Sequence, residues 1–137
     1  MTSGLLPAHS DKFYALLRIV AGLLFACHGA QKLFGFFGGA SGIGDTVALA
    51  SLMGVAGVIE LVCGLLIATG ALTGPAAFLA SGMMAVAYFK AHFPGGFWPI
   101  QNRGELAVVY CFLFLYMAAR GAGPWSVDAA IASRRRH

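Results

Sequence analysis

Eight polar side chains sit in or beside apolar runs where charge is expensive: Arg18, His28, Gln31, Lys32, Glu60, Lys90, His92 and Glu105. A charged group at the centre of a bilayer costs at least ~2.5 kcal/mol unless it is paired or hydrated. Glu60 is the most informative, with Ile59 before it and Leu61 and Val62 after it. A carboxylate there is either protonated or faces a cation across a helix bundle. Arg18 and Lys32 are fourteen positions apart, which puts them on nearly one helix face, with His28 within about a quarter turn of it. Counting depth along the helices puts Arg18 and His28 on opposite sides of centre, each about one to two turns away. Either is therefore expected to reach Glu60. The chemistry this suggests is a proton relay in which Glu60 carries the proton beside His28 while Arg18 orients it. The alternative is an ion pair that fixes helix register.

His28, Gln31 and Lys32 stand at i, i+3 and i+4 and share a helix face. Lys90, His92, Arg103 and Glu105 fall near the same end. His28, Gln31, Lys32, His92 and Glu105 are the candidate lining of one pocket, suited to the carbonyl oxygens of a quinone. Lys90 and Arg103 are expected to reach toward lipid headgroups. Metal or haem is not expected. Cys27, His28, Glu60, His92 and Glu105 are suitable ligand types, but no HxxxH or CxxC spacing fixes a geometry. His28 is the only histidine deep enough for an axial haem ligand. No nucleophile–base triad is present, and the glycines of 35–44 lack the lysine and preceding strand of a phosphate-binding loop. The three cysteines, Cys27, Cys63 and Cys111, lie singly in apolar runs, as small buried side chains do.

The elements that must position these groups follow from composition. The chain has 137 residues, 59% hydrophobic and only 10% charged, against about 25% charged in soluble domains. That is too little charge to coat a water-facing globule, so most of the surface is expected in lipid. Four apolar stretches appear, over about 13–37, 46–72, 75–93 and 104–120, followed by a basic tail at 121–137. A span needs about 20 apolar residues, and helix is the only open-chain structure that satisfies its own backbone in lipid. The expected fold is all-α, a single domain forming a four-helix transmembrane bundle. Ser10 or Asp11 is expected to cap the first helix and Asp45 or Thr46 the second. Thr73-Gly74-Pro75 reads as a tight hairpin between the second and third. Asn102 with Glu105 resembles a capping box for the fourth.

With four spans, one side carries Lys12, Arg18, Arg120 and Arg134 to Arg136, six cations, and the other carries Lys32, Lys90 and Arg103, three. The positive-inside rule places both termini in the cytoplasm, with Trp98 and Trp125 as interfacial anchors. The net charge of +4 belongs to this pattern, and nucleic acid is not an expected partner. Leu24-Phe25-Ala26-Cys27 resembles a lipoprotein cleavage box, but the apolar run continues to Phe37 and three more follow, so a retained span is expected. Small residues at four-residue spacing (Gly22, Ala26 and Ala30; Ala50 and Gly54; Ala77, Ser81 and Ala85) predict close helix packing.

The run Arg18-Ile-Val-Ala-Gly-Leu-Leu-Phe25, then His28-Gly-Ala-Gln-Lys-Leu-Phe-Gly-Phe-Phe-Gly-Gly39, resembles the first helix and following loop of the DoxX family. So do Glu60 followed by Gly64 and Gly70-Ala-Leu-Thr73, His92-Phe-Pro94, Glu105, and Gly123-Pro-Trp-Ser-Val-Asp128. The resemblance covers about 13–128 and implies a four-helix protein of the bacterial inner membrane. Family members are often called oxidoreductases, and some are associated with quinone-linked or thiol and oxidative-stress complexes. Arg18, His28, Lys32, Glu60, His92 and Glu105 match recurrent polar positions of the family. The expected function is a quinone-associated redox protein, or the membrane subunit of a respiratory or oxidative-stress oxidoreductase complex. Flavin and nicotinamide fingerprints are missing, so stand-alone catalysis is not indicated. The rivals are a non-catalytic accessory subunit and a small-molecule carrier. Expected partners are the bilayer and either other subunits or further copies of the chain.

Overall fold

A computed structural model describes residues 4–136, and the last position of the basic tail, His137, lies outside them. All the regular elements among these residues are helical. Helix α1 is Ser10–Phe34, α2 is Leu52–Thr69, and α3 is Thr73–Ala87, prolonged by a wide π turn over Tyr88–His92. A short α4 (Pro99–Asn102) precedes α5 (Glu105–Arg120) and a final α6 (Val127–Arg134). Two helical stretches, Pro7–Phe34 and Leu52–Thr69, are long and apolar enough to cross a membrane. At 16 residues, α5 spans about 24 Å.

Large apolar side chains point outward. Leu16, Val20 and Leu23 of α1, Val55, Val58 and Val62 of α2, and Val109 and Phe112 of α5 are all exposed. The inward faces combine glycine and alanine with aromatic and other apolar residues such as Phe25, Ile67, Phe114 and Met117, and a few polar groups. A water-soluble bundle has the reverse pattern, whereas lipid-embedded helices associate through small residues. The α1–α2 seam shows how. A β-carbon on Gly22 would stand 2.5 Å from the Ala68 nitrogen and 2.7 Å from the Gly64 carbonyl. One on Gly64 would stand 2.5 Å from the Ala26 nitrogen. Two turns along, Gly29 meets Gly57 and Leu61 in the same way. The helices are antiparallel and touch backbone to backbone. Gly22 and Ala26 serve as expected, but Gly29 completes the seam instead of Ala30. Phe25 reaches across to Tyr110 and Phe114 of α5, with ring centroids 5.4 and 4.8 Å away. Ser81 donates to the Cys111 carbonyl at 2.7 Å and ties α3 to α5.

Several helix ends differ from the expected ones. The second helix starts at Leu52, because Ser51 is its cap and accepts from the Gly54 amide at 3.0 Å. Asp45 is committed elsewhere, to the Ser41 amide (2.8 Å) and hydroxyl (2.9 Å). These bonds hold Asp45 below the ordinary carboxylate range, the amide contributing most. Neither Ser10 nor Asp11 caps α1, which follows from a short turn at Pro7–His9; Asp11 pairs with Arg120. The Asn102–Glu105 capping box does not form. Arg103 adopts a left-handed conformation (φ 62°), which breaks the helix, and Asn102 instead accepts from the Gly104 amide at 2.8 Å.

Candidate functional site

The structure pairs Glu60 with Lys32. The ammonium donates to both carboxylate oxygens, at 2.7 and 2.6 Å, and both side chains are largely buried (15% and 6% exposed). The seam places them: Gly29 and Gly57 bring the end of α1 against the first half of α2, so a long lysine reaches the carboxylate. A cation facing Glu60 across the bundle was the expectation, but the partner is neither Arg18 nor His28.

Arg18 is fully buried at the opposite end. It donates to the carbonyls of Ile67 and Ala68 at 2.8 Å each, and to Pro124 and Trp125 at 3.3 and 2.7 Å. Ile67 lies seven residues beyond Glu60, about 10 Å along α2, which takes Arg18 out of the proposed relay. It works instead as the centre of a clasp. The last turn of a helix leaves carbonyls short of partners; Arg18 supplies a donor to Ala68 and a second one to Ile67, which also accepts from the Gly70 amide at 3.2 Å, while gripping the segment after α5. Around it, the Tyr14 hydroxyl donates to the Gly121 carbonyl at 2.5 Å. The Arg120 guanidinium lies 3.9 Å over the Tyr14 ring. The Asp128 carboxylate caps α3 by accepting from the Leu72 and Thr73 amides at 3.0 and 3.2 Å.

The Lys32–Glu60 pair lines a cavity of about 280 Å³. Its other polar walls are His28, His92, Arg103 and Tyr110. The apolar walls include Phe25 of α1, Met53 of α2, and Met83 and Met84 of α3. Methionine and phenylalanine suit the face of a flat, polarisable ring. At the mouth, Met53 and Leu106 both line the cavity and lie about half exposed among lipid-facing residues.

Of the expected pocket residues, His28, Lys32 and His92 line this cavity, and Gln31 and Glu105 do not. Gln31 is turned roughly a quarter turn from the arc that carries Phe25, His28 and Lys32. Glu105 is exposed at the first residue of α5, which turns Ala107 and Tyr110 inward instead. Lys90 is exposed, as expected, whereas Arg103 joins the lining. Tyr110 went unpredicted, although it lies on an inward stripe with Ala107, Phe114 and Met117. A tyrosine on such a stripe needs a partner for its hydroxyl, and that was the available signal. Among the described residues, no group of three or more His, Cys, Asp or Glu side chains converges as metal ligands would.

An outer face of leucine, valine and phenylalanine, a glycine seam and a polar cavity together define an all-α membrane protein. The DoxX family pattern matches residues 13–93, and the chain belongs to the DoxX family. It is 44% identical over 130 residues, 90% of this chain and 93% of the other, to an uncharacterized protein of Haemophilus influenzae. No solved structure matches it. The residues that α5 contributes to the cavity fall after the stretch matched by the family pattern.

Proposed function

We propose that the cavity binds the head group of a membrane quinone. The chain then acts as a quinone-associated redox protein, or as the membrane subunit of a respiratory or oxidative-stress oxidoreductase complex. The observation that carries this reading is a buried carboxylate–ammonium pair at the wall of a cavity that also offers apolar side chains to a ring. The cavity sits near the lower end of the ~300–1,000 Å³ usual for small-molecule sites, a size for one ring rather than a large cofactor. A bound quinone would supply two-electron, two-proton carrier chemistry. Tyr110, Arg103 and the one N–H of Lys32 not used by Glu60 are donors for ring oxygens. Glu60 is positioned to exchange a proton with the cavity while Lys32 holds its carboxylate in place. Phe25 and the methionines hold the ring faces. The exposed Met53 and Leu106 at the mouth suit an apolar tail that continues into lipid.

In this reading the four long helices cross the bacterial inner membrane with both termini in the cytoplasm. Arg18 and Lys32 are occupied inside the bundle, which leaves Lys12, Arg120 and Arg134 to Arg136 at the clasp end against Lys90 and Arg103 at the cavity end. The positive-inside rule then puts the cavity in the outer leaflet. Photolabelling the full chain in its own membrane with an azidoquinone tests the assignment. Label on Met83, Met84 or Tyr110, displaced by excess unlabelled quinone, is expected. Label confined to outward residues such as Leu16 and Leu23 overturns it.

A second reading, a non-catalytic accessory subunit, draws on one observation. Phe36, Phe37, Phe97 and Trp98 are all exposed on the turns at the cavity end, and aromatic residues are enriched at protein interfaces. Co-purification of a stoichiometric partner without a small-molecule adduct would favour it.

A further inference from the structure

Two of the polar residues that line the cavity, His92 and Tyr110, differ in the hydrogen bonds they can offer a ligand. His92 ends the π turn, and such turns occur frequently at functional sites. Its Nδ1 lies 3.1 Å from the backbone carbonyl of Asn102. A carbonyl only accepts, so Nδ1 carries the hydrogen, and the neutral ring presents Nε2 as a bare acceptor. The ring is held in place. It stacks on Tyr88 at 26° with centroids 6.4 Å apart. The Tyr88 hydroxyl donates to the Phe97 carbonyl and accepts from Asn102 Nδ2 at 3.2 Å. Asn102 also ties the loop to the Gly96 carbonyl at 2.7 Å. Nε2 makes no bond to the described residues.

Tyr110 is 5% exposed, and it lines the cavity without a protein partner for its hydroxyl among the described residues. The hydroxyl is not sealed in the core and stays accessible for a ligand to bond. It can donate to a carbonyl or accept from a hydroxyl, so it serves either form of a ligand. His92 cannot, because its Nε2 requires a donor.

Resting on the quinone reading, we infer that His92 makes the cavity selective for the hydroxylated, reduced form of its ligand, while Tyr110 anchors both forms. A quinone has only acceptor oxygens and leaves Nε2 unsatisfied. A hydroquinone donates to it. One hydrogen bond of this type sets a preference of about tenfold.

The test uses the full chain in nanodiscs of phosphatidylethanolamine and phosphatidylglycerol, under argon at pH 8. Decylubiquinone and its hydroquinone are titrated separately. The hydroquinone is expected to bind about tenfold more tightly. His92→Phe keeps the stacked ring, removes the acceptor and brings the ratio close to one. Tyr110→Phe weakens both forms and keeps the ratio. Equal binding by the wild type, or a preference that survives His92→Phe, overturns the inference and leaves the quinone reading standing. Binding of neither form overturns the quinone reading and this inference with it. Nitrogen-15 NMR of the histidine rings in the unsubstituted chain needs no variant. Protonation at Nδ1 of His92 is expected, and protonation at Nε2 overturns the assignment.

Discussion

Arg18 and Lys32 are buried cations on one face of one helix, yet they do opposite work. Every bond Arg18 makes is to a carbonyl, and those carbonyls belong to a helix end and to the chain segment after α5. Lys32 meets a carboxylate beside open space, with two histidines, a tyrosine and an arginine also lining that space. A buried cation spent on backbone closes a structure. One spent on a titratable group beside a cavity leaves chemistry available. Burial and charge alone do not distinguish the two, whereas the partners do.

Five variants and one change of pH probe that contrast and the frame around it. Arg18→Met removes a donor from four carbonyls, of which only Ile67 keeps another among the described residues, and is expected to cost the most, on the order of 4 kcal/mol. The thermal midpoint should fall, and residues 121–128 should become sensitive to protease. Survival of the clasp would break the comparison. Glu60→Gln leaves the Lys32 ammonium buried without a counter-charge and should cost about 3 kcal/mol. Pairing Lys32→Met with Glu60→Met should restore most of that stability, since an apolar pair of similar volume often replaces a buried ion pair at no loss. No equivalent rescue is expected at Arg18, whose partners are backbone. Denaturation of the four chains in detergent checks both statements.

Gly22→Ala drives a methyl group into the α2 backbone and should cost roughly 2 kcal/mol. Gly82→Ala, with open space around its β-carbon, should be neutral or stabilise by up to about 1 kcal/mol. The difference in their thermal midpoints measures how much the seam holds both ends in register. The smallest effect belongs to Asp45. Its carboxyl is held below the usual range by the Ser41 amide and then the Ser41 hydroxyl, so its contribution is complete above about pH 4. It is lost as the pH falls through the lowered value. Exchange of the Ser41 amide proton should accelerate across that acidic range, with the cavity unaffected.

The helical plan was legible because lipid leaves few options: long apolar stretches become helices, and glycine or proline ends them. Helix starts were less legible. Asp45, Asp11 and Asn102 are good caps by type, but Asp45 is held by Ser41, Asp11 by Arg120, and Asn102 by Gly96 and Gly104. For the site, the spacing of Arg18, His28 and Lys32 identified a common face correctly. It could not say which cation meets Glu60, because that depends on how far α2 slides along α1, and Gly22, Gly29, Gly57 and Gly64 set the slide. Tyr110 escaped notice because an aromatic residue in an apolar run resembles core until its hydroxyl is seen without a partner.

The central claim is that the Lys32–Glu60 end binds a small molecule and the Arg18 end does not. A native mass spectrum of the full chain, gently extracted with its own lipids, tests it most directly. The account predicts a quinone-sized adduct on the wild type. That adduct should be absent from the folded Lys32→Met, Glu60→Met chain. A wild-type chain that carries no such adduct, or a doubly substituted chain that retains it, would contradict the account.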